Sequence, residues 1–180
     1  MMFEKIWKSF IERQYENLFW DKIQNTNEII ESLREQVKEL KRVMSIETLN
    51  EPEMKGKITI YELNTLLKPH CTDLHLSDRI YSLTNVTQAK KYSNETKVYT
   101  KEWISEQHDC DEFSSALNGY WNRGLKQFAF GIAWSKSHAF NIFVDDKKQI
   151  YIVEPQSNKF TKIEDMKKNK RYYPLTLILI

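Results

Sequence analysis

The spacing of apolar residues in the N-terminal third predicts a helix with a coiled-coil stripe. From Ile23 onward the apolar positions alternate between spacings of three and four residues, as two sites of a heptad do. The first site holds Ile23, Ile30, Val37 and Met44, and the second holds Thr26, Leu33 and Leu40. No glycine or proline interrupts residues 1–51, and Pro52 supplies a stop. We therefore expect a helical segment over residues 1–54.

This stripe has two interpretations. β-Branched residues at the first heptad site with leucine at the second favour a parallel dimer, so the segment would join copies of the chain into a homo-oligomer. Alternatively, the stripe packs on the domain that follows it, as most amphipathic helices do. The sequence leaves both interpretations open.

Beyond residue 54 the pattern changes to short elements and ends in strands. Residues 57–105 contain runs with helical spacing, such as ITIYELNTLLK and the stretch from Asn85 to Tyr92. After Cys110 the sequence DEFSSALNGYWNR has the spacing of an amphipathic helix. Four strands are then predicted from QFAFGIAW, HAFNIFVD, QIYIVEP and YYPLTLILI. A helix followed by an antiparallel sheet is an α+β arrangement.

Charge divides the chain at the same place. Residues 1–54 carry 8 basic and 11 acidic side chains, and the remainder carries 19 basic and 14 acidic ones. The net charge of the whole chain is only +2, which gives no field that would attract nucleic acid. We therefore predict two parts, a helical segment over 1–54 and a folded domain over 55–180, and no nucleic-acid partner.

Cysteine content and the chain ends predict a cytoplasmic protein. With only Cys71 and Cys110, the chain lacks the disulfide framework of a small secreted domain. Charges interrupt the apolar residues near the N-terminus, so neither a signal peptide nor a membrane span is expected there. The closing LTLILI is far shorter than the roughly 20 residues of a spanning helix. A lysine-, asparagine- and isoleucine-rich composition also suits a bacterial or phage protein, which makes a virion-associated location the alternative.

Cys110 is the strongest candidate for chemistry. It stands at the expected N-terminus of its helix, where unpaired backbone amides and the helix dipole stabilise a thiolate. His138 opens the second predicted strand and Glu154 closes the third, so an antiparallel pairing brings them side by side. A base and the carboxylate that orients it need this adjacency. The competing interpretation is an inert, buried thiol, which is the commoner state of a lone cysteine.

The segments DCDEF, GIAWSKSHAFNIFV and IYIVEPQ resemble the papain-like protease domain of the Marasmius oreades agglutinin family. The resemblance implies a papain-like fold with a nucleophile at Cys110, a base at His138 and an orienting acid at Glu154. It also implies an oxyanion hole formed by Gln156 and Trp103, since an amide and an indole N–H both donate hydrogen bonds. The same segments are similar to the wider group of transglutaminase-like cysteine proteinases.

The resemblance covers roughly residues 57–160 and departs from the family in two ways. Agglutinins of this family carry a sugar-binding β-trefoil ahead of the protease domain, where this chain has a predicted helical segment, so carbohydrate binding is not implied. The separation of Cys110 from His138 is also short, which leaves the substrate range open.

Calcium is the cofactor that the resemblance implies. Asp109, Asp111 and Glu112 flank the cysteine and offer hard oxygen ligands. Carboxylates near a helix N-terminus have a simpler explanation, because the helix dipole stabilises them. A zinc site is the weaker metal hypothesis. Histidine and cysteine are zinc ligands, but the spacing of those present matches no compact zinc motif. They are His70, Cys71, His75 and His108.

These observations lead to a cysteine hydrolase as the predicted function. The expected reaction is attack of the Cys110 thiolate on an amide carbonyl of a peptide or protein substrate, with His138 as base and Glu154 holding the imidazole. One alternative is acyl transfer to an amine, which the same residues can perform. The other is a non-catalytic structural or binding protein with a protease-like fold.

Overall fold

The computed structural model describes residues 22–41, 49–105 and 107–180, and it divides the chain into two compact units, Met1–Thr48 and Leu49–Ile180. In the first unit the described residues 22–41 form a helix, α1. Its heptad positions Ile30, Leu33, Val37 and Leu40 are 40–61% exposed. The predicted helical segment over 1–54 also includes residues 1–21 and 42–48, which lie outside the described residues. For residues 49–54 the prediction is wrong, because they are described and are not helical. The prediction of self-association rests on this stripe.

The second unit is built around a six-stranded mixed sheet and a separate two-stranded sheet. The strands are β1 (Gly56–Thr59), β2 (Cys71–His75), β3 (Ile80–Leu83), β4 (Phe130–Trp134), β5 (Ala139–Val144), β6 (Ile150–Glu154), β7 (Lys159–Lys162) and β8 (Leu175–Leu179). The large sheet has the order β2-β8-β4-β5-β6-β7, and β1 pairs with β3 in the small one. Every pairing is antiparallel except that of β2 with β8.

Four helices accompany these strands, α2 (Ile60–Leu67), α3 (Val86–Glu95), α4 (Cys110–Trp121) and α5 (Ile163–Met166). Local sequence sets where two of them begin. Thr59 accepts a hydrogen bond from the Glu62 backbone N–H while the Glu62 carboxylate accepts one from the Thr59 N–H, which is a capping box. The Asn85 side chain caps α3 through the Gln88 N–H.

Both faces of the large sheet are buried at its centre. On β5 all six residues are buried, with Phe140, Ile142 and Val144 in one hydrophobic cluster and Phe143 in the other. Residues of α2 complete the first cluster, whereas α3 and α4 supply the second, whose centre is Trp121 stacked on Phe130 at 4.4 Å between ring centroids. A central strand buried on both faces explains why HAFNIFVD has little polar alternation.

The structure confirms the α+β class and corrects some details. The helix after Cys110 and the four predicted strands of the second half are present. The expectation of only helical runs over 57–105 is wrong, because that region also contains β1, β2 and β3. The expectation of a purely antiparallel sheet is wrong as well, since β2 joins its edge in parallel. Within the described residues, no helix is both long and apolar enough to span a membrane.

Candidate functional site

Cys110 is the first residue of α4, as the sequence predicts. The Glu112 carboxylate accepts a hydrogen bond from the Asp109 backbone N–H at 3.0 Å, and this contact fixes the start of the helix. Asp111 and Glu112 occupy the first turn, where the helix dipole stabilises carboxylates. The cysteine is half-buried at a helix N-terminus.

Asn141 fastens this helix to the sheet. Its side-chain amide donates to the Ser114 carbonyl of α4 at 2.9 Å and to the Gly131 carbonyl of β4 at 3.1 Å. Asn141 and Ser114 are both fully buried, so these hydrogen bonds form away from water. The Asn141 contacts therefore hold the first turns of α4 against β4 and β5, close to where β5 begins.

His138 and Glu154 meet at one end of the sheet. His138 immediately precedes β5, Glu154 is the last residue of β6, and the two strands pair antiparallel. His138 Nε2 lies 2.7 Å from Glu154 Oε2, and the His138 side chain is only 2% exposed. The predicted adjacency of imidazole and carboxylate is present in the structure.

Tyr172 is part of the site and was not predicted from the sequence. Its hydroxyl donates to Glu154 Oε2 at 2.6 Å, and its ring lies edge-on to the His138 imidazole, 5.2 Å between centroids. Burial and the neighbouring carboxylate raise the pKa of Tyr172 to about 12. A tyrosine 18 residues beyond Glu154, outside every recognised motif, carries no sequence signal for this contact.

The Glu154 carboxyl is held in its ionised form. Burial by itself raises its pKa, but the hydrogen bonds from His138 and Tyr172 outweigh burial and keep the pKa below the ordinary value of 4.5. The Gln156 backbone N–H adds a long contact to Glu154 Oε1 at 3.5 Å. Glu154 is therefore a partly buried anion. Its Oε2 receives the two short hydrogen bonds, and its Oε1 has only the long contact.

The Cys110 thiol lies at the same strand end, and its surroundings raise its pKa. Its sulfur accepts the Ala139 backbone N–H at 3.5 Å, so it contacts the residue that follows His138. Burial raises the pKa of the thiol, and the carboxylates of Asp109 and Asp111 add to this effect because like charge opposes the thiolate. The hydrogen bonds of the described residues include none between Cys110 Sγ and the His138 imidazole.

The two other predicted site residues are less closely placed. Gln156 lies two residues beyond Glu154 and contacts it through the backbone. Trp103 is 55% exposed and precedes a tight turn in which Ile104 and His108 exchange backbone hydrogen bonds. The oxyanion roles of Gln156 and Trp103 stay predictions from the sequence.

One group of described residues has the composition of a metal site. Ligand atoms of Asp109, Cys110 and Asp111 lie within 4.8 Å of one another. Glu112, the third predicted calcium ligand, is engaged with the Asp109 N–H. Hydrogen bonding between the Asp109 and Asp111 carboxyls raises the pKa of Asp111, as close like charges do. Calcium at Asp109, Asp111 and Glu112 stays a prediction, and the described histidines near Cys71 join no such group.

Comparison with known proteins identifies relatives of the fold. No family model and no curated protein matches the sequence. Two solved structures similar to this chain are a PSL1a–E64 complex (TM-score 0.57, 20% identity) and Polyporus squamosus lectin bound to the human-type influenza-binding epitope Neu5Acα2-6Galβ1-4GlcNAc (TM-score 0.54, 22% identity). Each match covers 69% of this chain, and the chain spans about half the length of those proteins, 50% and 49%.

These comparisons contradict the predicted family and activity. The similar structures are of a carbohydrate-binding lectin and not of a Marasmius oreades agglutinin-type protease domain. The predictions of a papain-like cysteine protease and of a peptide or protein substrate are therefore wrong. At Cys110, burial and the neighbouring carboxylates raise the pKa of the thiol, which opposes formation of a thiolate. At this level of identity the likeness establishes the fold alone.

Proposed function

We propose that the Leu49–Ile180 unit is a ligand-binding domain whose site is the Cys110 thiol beside the His138–Glu154 pair. The observation that carries the proposal is the contact of Cys110 Sγ with the Ala139 N–H, because it holds the sulfur next to the strand end occupied by the imidazole. A ligand there meets a thiol, an imidazole and a carboxylate within one small region. Such convergence of polar groups is typical of binding sites.

One of the similar structures is a complex with E64, and this favours E64 as a probe of the site. E64 is a small molecule whose epoxide alkylates thiols. In the adduct, a C–S bond forms between Cys110 and one epoxide carbon, the C–O bond of that carbon breaks, and the ring oxygen takes the proton that the thiol loses. E64 is therefore a suitable probe of the site.

The proposal concerns binding rather than turnover. A protonated thiol with no imidazole hydrogen bond is a poor nucleophile toward an unactivated carbonyl. It still reacts with a strained epoxide held against it, since binding aligns the two reacting atoms. The buried His138–Glu154 pair would then serve as fixed hydrogen-bonding groups for the ligand.

The test is site-resolved labelling of the full chain with E64 at neutral pH, read by intact mass and by peptide mass spectrometry. We expect one adduct, at Cys110. The Cys110→Ser variant should lose it, and Cys71→Ser should retain it. Cys71 is the matched control, because its thiol is also half-buried and burial also raises its pKa. Equal labelling of both cysteines, or no labelling of Cys110, would overturn the proposal.

Two further measurements separate the proposal from its competitors. Release of several equivalents of amine from an amide substrate, lost in Cys110→Ser, would contradict a binding-only function. The trisaccharide Neu5Acα2-6Galβ1-4GlcNAc, which Polyporus squamosus lectin binds, should be titrated against wild type and Cys110→Ser. Equal binding to both proteins would locate the ligand away from the thiol and count against the proposed site.

A further inference from the structure

The segment that precedes β8 is hydrogen-bonded to the turn that carries His138. Residues 167–174 connect α5 to β8, and the Arg171 carbonyl accepts a hydrogen bond from the Ser135 hydroxyl at 2.6 Å. Ser135 in turn donates its backbone N–H to the His138 carbonyl at 2.9 Å. This chain of contacts fixes the segment to the turn from which His138 projects.

Within this segment Tyr172 contacts both members of the buried pair. Glu154 Oε2 receives the Tyr172 hydroxyl at 2.6 Å and the His138 imidazole at 2.7 Å, so a single oxygen carries two short contacts. The Tyr172 ring also packs edge-on against His138 and against Phe140, with centroid distances of 5.2 and 5.3 Å. The Arg171 guanidinium lies over the Tyr172 ring, 5.9 Å from its centroid.

We propose that Tyr172 is a positioning residue of the candidate site: its hydroxyl fixes the carboxylate of Glu154, and its ring fixes the imidazole of His138. Tyr172 touches no ligand in this role and acts through the other two side chains. Because the proposal concerns how the Cys110 site is arranged, it rests on the proposed function for its effect on ligand binding. The arrangement of Glu154 itself is measurable without any ligand.

The physical basis is the number of donors that the carboxylate has. With two donors on Oε2, the Glu154 side chain has one favoured orientation, and the imidazole must align with it. Without the tyrosine hydroxyl, the ionised carboxylate keeps only His138 and the long Gln156 contact. Three titratable or charged side chains lie next to Glu154: His138 and Tyr172, which hydrogen-bond to it, and Lys159, its cross-strand partner on β7.

Tyr172→Phe is the informative variant, since it keeps the ring contacts and removes only the hydroxyl. We expect the carboxyl of Glu154, followed by carbon-13 NMR, to titrate about 0.5 to 1 pH unit higher than in wild type, because one of its hydrogen bonds is lost. The rate of E64 addition to Cys110 should fall about threefold through poorer alignment of the imidazole. Tyr173→Phe removes the hydroxyl of the adjacent half-buried tyrosine, whose ring contacts His70, and should change neither quantity.

The outcomes separate this proposal from the proposed function. An unchanged Glu154 titration in Tyr172→Phe would overturn the positioning role, whatever E64 does. A shifted titration in a protein that E64 does not label would support the positioning role and overturn the proposed function. Should Tyr172→Phe fail to fold, 3-fluorotyrosine introduced at position 172 keeps ring and hydroxyl. It makes the hydroxyl a stronger donor and should move the Glu154 titration to lower pH, and no movement would count against the proposal.

Discussion

At the scale of single residues, the state of the Cys110 thiol decides what this site can do. The helix N-terminus favours a thiolate, as the sequence analysis expects. Burial and the carboxylates of Asp109 and Asp111 act in the opposite direction and raise the pKa of the thiol. An argument from helix position alone leaves out these neighbouring charges and the burial.

Asp111→Asn tests this balance. Removal of one like charge should lower the pKa of the Cys110 thiol and increase its rate of alkylation by iodoacetamide at pH 7.5 about twofold to fourfold. Peptide mass spectrometry measures the rate at Cys110 and at Cys71 in one sample. Asp165→Asn is the matched control, since Asp165 also lies in the first turn of a helix, α5. An unchanged rate in Asp111→Asn would contradict a contribution of the Asp111 charge to the pKa of the thiol.

At the scale of elements, the close approach of β4 and β8 depends on a glycine. A Cβ at Gly131 would lie 2.0 Å from the backbone oxygen of Leu179 and 2.5 Å from the side chain of Ile180. In the pairing of β4 with β8, the residue after Gly131, Ile132, lies opposite Leu179. The absence of a side chain at position 131 therefore allows β8 to join the sheet, and β8 is the strand that follows Tyr172.

Two glycine substitutions, one at the contact of β4 with β8 and one away from it, test this interpretation. Gly131→Ala should reduce the free energy of unfolding by about 2 to 3 kcal/mol, because β8 must shift away from β4. Gly119→Ala, within α4 and with nothing beyond its own helix backbone and chain neighbours within 4 Å of the added Cβ, should increase it by about 0.5 to 1 kcal/mol. Urea denaturation measures both. A Gly131→Ala variant as stable as wild type would contradict the close approach of these strands.

The elements that were predicted share a local signal. Helix α4 and strands β4, β5, β6 and β8 are long enough, or apolar enough, for their spacing to be recognised. Strands β1 and β3 have four residues each, and β2 has a mostly exposed sequence, CTDLH. β2 exists as a strand because β8, about a hundred positions later, pairs with it. Such pairings leave no periodic pattern in the short strand itself.

At the scale of the whole molecule, stability and the site are linked through Glu154. Its pKa in the folded protein is lowered, so ionisation of Glu154 stabilises the fold. That contribution is fully present above the pKa of an unfolded glutamate, about 4.3. It is lost as the pH falls through the lower pKa of the folded state. The free energy of unfolding should therefore decrease as the pH falls below about 4.3.

Glu154→Gln is expected to be less stable than wild type by about 1 to 2 kcal/mol at pH 7, a value discounted for the partial exposure of the carboxyl. The difference should narrow toward pH 3, where the wild-type carboxyl takes up its proton. Chemical denaturation over pH 3–7 measures both proteins. Glu164→Gln is the control, since its ion pair with Lys167 is exposed and should contribute little at any pH. If the stability difference between Glu154→Gln and wild type does not change with pH, the role assigned to the Glu154 charge is contradicted.

The comparison with known structures belongs to the same scale. Motifs around Cys110, His138 and Glu154 predicted a fold class and an adjacency that the structure contains. The activity inferred from those motifs is contradicted by the lectin structures that share the fold. Folds host unrelated functions, so the activity has to be argued from the site.

The sequence by itself determined what depends on neighbours along the chain. The capping residues, the amphipathic spacing of α4 and the adjacency of β5 and β6 are local, and the last of these brings His138 to Glu154. Tertiary structure alone decided the parallel pairing of β2 with β8, the contact of Tyr172 with Glu154 and the raised pKa of Cys110. Each of these depends on groups that are distant in sequence or on burial. Burial is set by how all the elements pack together, and no local pattern encodes it.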